Sequence, residues 1–118
     1  MIIYYNSRCR KCREALSLLQ DEGCQVEIRK YLKEIPTLAE MRQLVKLLGC
    51  KAEQLIRKEE AIFMPFLDKK LSDLQALKLM VKHPVLIQRP IVVSDNRAVI
   101  GRPPALVLNL LLKSSKQK

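Results

Sequence analysis

The chain has 118 residues, 48% of them apolar, which suits a single ordinary domain with a real core. No run approaches the roughly 18 apolar residues a membrane-spanning helix needs, so a helical membrane protein is excluded. The formal net charge of +10 fits nucleic acid, an acidic protein partner or a small oxyanion, and fits a solvated basic surface equally well.

Met1 to Tyr5 is short, apolar and rich in β-branched and aromatic residues, and reads as a buried strand. The N-terminus lacks a basic leader followed by a longer apolar stretch and a small-residue cleavage site, so no secretory signal is expected. A cytoplasmic address, with the four cysteines reduced, follows as an expectation.

Tyr5-Asn6-Ser7-Arg8-Cys9-Arg10-Lys11-Cys12-Arg13 comes next. Two thiols sit three residues apart where a strand gives way to a helix. That spacing puts Cys9 near a helix N-terminus and Cys12 one turn further in. The positive end of the helix dipole favours thiolate over thiol there. Arg8, Arg10, Lys11 and Arg13 add positive charge in the same sense. Cys9 therefore reads as a low-pKa nucleophile.

The helix carries Ala15, Leu16, Leu18 and Leu19 at helical spacing and ends at Gly23. Gln25 to Tyr31 alternates, with Val26 and Ile28 on one side, and makes a second strand. Strand–helix–strand over this length is a βαβ unit with parallel strands. After Pro36, Thr37-Leu38-Ala39-Glu40 has the form of a capping box. The helix behind it shows Leu38, Met41, Leu44, Val45 and Leu48. Lys51 to Arg57 looks like a short helix and Phe63 to Lys69 like a loop. Ser72 caps a further helix that His83-Pro84 stops.

Ile91-Val92-Val93 is a strand, Ser94-Asp95-Asn96-Arg97 is turn chemistry, and Ala98 to Ile100 is the hairpin partner. Pro103 and Pro104 open a last helix, Ala105 to Leu112, followed by a basic tail, 113–118. The fold class this predicts is α/β. It is a thioredoxin-like single domain, 1–118, with βαβ joined to ββα in a mixed four-stranded sheet and a helical segment inserted at about 38–82.

Cys9 and Cys12 could be half a structural zinc site, but Cys24, Cys50 and His83 are scattered with no second short spacing. Cys24 and Cys50 read as inert, and no metal is expected. In thioredoxin-like folds the residue before a cis proline faces the active-site thiol, and cis bonds are almost always X-Pro. Arg89-Pro90 puts an arginine there, which suits bidentate grip of a tetrahedral oxyanion. The chain has three tyrosines, two phenylalanines, no tryptophan and no interleaved basic–aromatic run, so direct nucleic-acid binding is not expected.

Leu86-Ile87-Gln88-Arg89-Pro90-Ile91-Val92-Val93, preceded by His83-Pro84, closely resembles the signature of the glutaredoxin-coupled arsenate reductase family and its Spx-like relatives. Tyr5-Asn6 before Cys9, Leu55-Ile56-Arg57-Lys58 and Gly101-Arg102-Pro103 are similar to three further segments of that family. The likeness runs from Met1 to about Leu112. It implies that Cys9 is the nucleophile on arsenate, that Arg57, Arg89 and Arg102 cradle the oxyanion, and that Pro90 is the cis proline. It implies glutathione and glutaredoxin as external reductants and no bound cofactor.

Two positions depart from that pattern. Tyr5 stands where the reductases have a histidine, and Cys12 where they usually have serine. A thiol at Cys12 can close a disulfide with Cys9 and resolve an adduct without glutathione. The same pair resembles the redox switch of Spx-type regulators, whose partner is RNA polymerase. Those relatives typically lack the arginine of Gly101-Arg102-Pro103, which favours the reductase.

Overall fold

In the computed structural model of this chain, which describes residues 1–112, the apolar N-terminus forms β1 (Ile2–Tyr4) inside a four-stranded sheet. The expected basic tail, 113–118, lies outside the described residues. Helix α1 (Arg10–Asp21) leads to β2 (Glu27–Arg29), which pairs parallel to β1. Later in the chain β3 (Ile91–Ser94) and β4 (Arg97–Ile100) form a hairpin. β3 pairs antiparallel to β1, and the sheet order is β2-β1-β3-β4. This is the mixed sheet of a thioredoxin-like fold.

The backbone divides into two compact units, one of Met1–Lys30 with the chain from Arg89 onward, the other Tyr31–Gln88. The first holds the sheet. Ile3 faces Val92 across the β1–β3 pair, and both point to the side where α1 and the last helix lie. There they pack with Ala15, Leu16, Leu19 and Val107. Tyr4 and Ile91, one residue on, point to the opposite face by strand alternation and are buried as well.

The elements are shorter or tighter than the pattern suggests. β2 spans three residues and leaves Ile28 40% exposed, because it is an edge strand with one neighbour. The last helix is a 3-10 helix, Pro104–Leu111, and Arg97 ties its end down by donating to the carbonyls of Asn109 and Leu112.

The second unit contains α2 (Leu38–Leu48) and α3 (Asp73–Lys82), which pack against each other. Thr37 Oγ1 accepts from the Glu40 N–H, and Ser72 and Gln75 form a reciprocal capping box. Lys51 to Arg57, expected as a helix, is a 3-10 turn, Ala52–Leu55, that opens into extended backbone at Ile56. Ile56 then bridges antiparallel to Ile87. The expected loop over 63–69 contains most of a 3-10 helix, Ala61–Phe66, pinned by buried Phe63. No helix of the described residues is long and apolar enough to cross a membrane.

Gly101 marks a close approach in the first unit. A Cβ there would lie 2.9 Å from Pro90 Cγ and 2.9 Å from Val107 Cγ1. Pro90 is buried against that bare backbone. Gly101→Ala is expected to destabilise the protein by about 1–3 kcal/mol through overpacking, read as a lowered Tm. An unchanged Tm would mean that Pro90 and Val107 move aside at no cost.

Candidate active site

The chain leaves β1 held on both sides. Tyr5 N–H donates to the Arg29 carbonyl at 2.9 Å. Asn6 then makes the turn: its Oδ1 accepts from Arg8 N–H at 3.0 Å and its carbonyl accepts from Cys9 N–H at 2.9 Å. The Arg13 guanidinium reaches back to the Ser7 carbonyl at 2.8 Å. Cys9 therefore arrives in extended conformation as the N-cap of α1, and its carbonyl accepts the first helical bond from Arg13 N–H at 3.1 Å. Cys12 is the third helical residue, fully buried, while Cys9 is partly exposed. All four cysteines are free thiols.

Burial alone would push the Cys9 thiol up. It is outweighed by the Cys12 backbone amide, the Cys12 thiol and the Arg89 guanidinium, so Cys9 lies below its ordinary 9.0. Cys12 goes the other way. Burial first, then the nearby Cys9 sulfur, push it up to about 12 against the pull of the Asn6 amide. The pair thus holds one sulfur ready to ionise and one kept protonated.

Arg89 is the guanidinium that acts on Cys9. Two of the basic residues around Cys9 are engaged elsewhere: Arg13 on the Ser7 carbonyl, and Arg10 in an exposed 3.9 Å pair with Glu14. Arg89 precedes Pro90 across a cis bond just before β3. The strand pair Ile91–Ile100 continues outward as Gly101 N–H donating to the Pro90 carbonyl at 2.8 Å. Arg102 Nε then donates to the Arg89 carbonyl at 2.7 Å. The Arg102–Pro103 bond is cis too, which the sequence reading missed. Arg102 is thus seated directly on Arg89.

Arg57 belongs to the second unit. Its N–H donates to the Leu86 carbonyl at 2.6 Å beside the Ile56–Ile87 bridge. The side chain is 11% exposed, with Nε 3.3 Å from Glu60 Oε2 and Nη2 3.4 Å from Glu59 Oε2. Its buried Nη1 has no hydrogen-bond partner among the described residues. These two glutamates were not foreseen, although Glu59-Glu60 follows Arg57 closely in the chain.

Cys24 packs at the margin of the sheet core. Cys50 is half-buried, and burial followed by the Asp73 carboxylate push its thiol up. Among the described residues no three metal-ligating side chains cluster.

The chain resembles known proteins over most of its length. The profile of the ArsC family matches residues 4–110. An arsenate reductase of Haemophilus influenzae is 38% identical over 114 residues, covering 94% of this chain and 98% of that protein. The protein YfgD of Escherichia coli K12, described as uncharacterized, is 40% identical over 112 residues, covering 92% and 94%. A solved structure, an arsenate reductase from Vibrio cholerae, superposes with a TM-score of 0.87 at 38% identity, covering 92% of this chain and 94% of that one.

The alkylation rate of Cys9 by iodoacetamide, followed by peptide mass spectrometry, is expected to rise with pH through a midpoint below the ordinary thiol value of 9.0. The sign follows from the thiolate being the reactive form. Arg89→Leu should move that midpoint upward. A midpoint at or above the ordinary value in the native protein would contradict the assigned electrostatics.

Proposed function

The chain belongs to the ArsC family, and we propose that it is an arsenate reductase in which Cys9 is the nucleophile. The observation that carries this is the Cys9 thiol facing Arg89, with Arg102 bound to the Arg89 carbonyl. A nucleophile with a lowered pKa beside a fixed guanidinium suits attack on a small anion whose negative charge would otherwise repel a thiolate.

The Cys9 thiolate bonds to arsenic, and one arsenate oxygen leaves as water after taking up protons. Arsenic is still pentavalent in that adduct. A second thiol then attacks Cys9 Sγ, the sulfur–arsenic bond breaks with its electron pair going to arsenic, and arsenite leaves. Glutathione followed by glutaredoxin can supply that thiol, or Cys12 can. The electrons come from soluble thiols, so no resident cofactor is required. A reducing cytoplasm would keep the four thiols free.

The Cys9–Cys12 pair also fits a redox-responsive regulator that binds RNA polymerase. Arg102 on the Arg89 carbonyl favours the reductase, because a disulfide switch has no need of a second guanidinium there. A pull-down with RNA polymerase run beside the arsenate assay separates the two.

In that assay Cys9→Ser is expected to reduce turnover to background, and full activity would remove Cys9 from the chemistry. Arg89→Leu should lower kcat/KM for arsenate by about 100-fold, the effect of losing one preorganised charge-stabilising group. Unchanged constants would take Arg89 out of the anion's contacts. Arg57, the third arginine that the sequence likeness assigns to the anion, is tested by Arg57→Leu: a raised KM supports that role, and unaltered kinetics exclude it.

A further inference from the structure

We infer that Cys12 is the thiol that releases the product, by attacking Cys9 Sγ of the arsenate adduct and closing an intramolecular disulfide, so that the reductant this chain takes is a dithiol. The inference rests on the reading of Cys9 as the arsenate nucleophile. Its basis is the placement of the two sulfurs. The helix N-cap and the third helical residue lie on the same face of the first turn, and the two side chains hydrogen-bond. Cys9 is partly open to solvent, whereas Cys12 is fully buried. Glutathione must diffuse to the adduct, but Cys12 is already positioned beside it, and such intramolecular placement favours it over an external thiol.

The protonation pattern supports the order of events. Cys12, held up by burial and by the Cys9 sulfur, stays protonated while Cys9 attacks arsenate. Once Cys9 is bonded to arsenic its thiolate charge is gone, and that contribution to holding the Cys12 proton is removed.

The step balances. Cys12 loses its proton to the leaving arsenite or to solvent, the Cys9–Cys12 bond forms, and the sulfur–arsenic bond breaks. Two thiols are oxidised to one disulfide, and pentavalent arsenic is reduced to trivalent. A first turnover therefore needs no outside reductant. Later turnovers need two further thiol equivalents, and a dithiol is favoured because its second sulfur closes the mixed disulfide intramolecularly and its own two sulfurs end as a disulfide.

The test uses the full-length reduced protein, freed of small thiols and mixed with arsenate. The expected result is one arsenite per chain, a mass loss of about 2 Da and a Cys9–Cys12 linkage in the peptide map. Dithiothreitol should then restart turnover. Cys12→Ser should retain the arsenic adduct and release arsenite only when glutathione is added. If the native protein gives no arsenite until glutathione is present, and shows no linkage, Cys12 is not the resolving thiol and the reductase reading survives. If no arsenite forms with glutathione and glutaredoxin or with dithiothreitol, both readings fall. The linkage map is made on the native chain, so it decides the matter even if the serine variant does not fold.

Discussion

A sulfur drawn partly out of water ionises only where fixed positive groups replace the lost solvent. In this chain that condition is met at Cys9 by the first-turn amide of Cys12 and by the Arg89 guanidinium. The amide comes with the helix. The guanidinium must be brought from far along the sequence and held, and much of the first unit serves that placement. β3 lies beside β1, so the residues that precede β3 come level with the loop that follows β1. Gly101 lets Pro90 pack against bare backbone, and Arg102 fixes the Arg89 carbonyl. Without the glycine, Pro90 and Val107 would have to move, and Arg89 with Pro90.

The two thiols receive opposite treatment from one turn of helix. The N-cap position gives Cys9 access to solvent, to amides and to Arg89. The third position drives Cys12 into the core. Two identical side chains are thereby pushed in opposite directions: burial dominates at Cys12, while the Cys12 amide and thiol and Arg89 outweigh it at Cys9. The outcome is one sulfur that ionises more readily than an ordinary thiol and one that holds its proton.

Much of this was legible in the residues. The apolar start, the paired cysteines and the apolar spacing from Ala15 to Leu19 announce β1, the thiol loop and α1, because each rests on short-range patterning. The hairpin is equally plain from Ser94-Asp95-Asn96-Arg97. What could not be read was set by contacts between distant segments. The basic residues around Cys9 looked like its electrostatic support, but Arg13 is drawn to Ser7 and Arg10 to Glu14. The second cis bond, at Arg102–Pro103, is one of several X-Pro bonds in the chain, and the residues beside it do not mark it out from the trans ones. Arg57 looked like a simple anion ligand, yet it is flanked by Glu59 and Glu60, whose engagement only the folded backbone reveals. Of the 3-10 segments, Ala61–Phe66 overlaps the expected loop over 63–69, while Pro104–Leu111 is legible as a helix from its opening prolines.

The most direct measurement is a crystal structure of the Cys12→Ser protein treated with arsenate, with arsenic located by its anomalous scattering. The account predicts arsenic bonded to Cys9 Sγ with its oxygens facing the Arg89 guanidinium. Arsenic absent from Cys9, or bonded there with its oxygens turned away from Arg89, would contradict it.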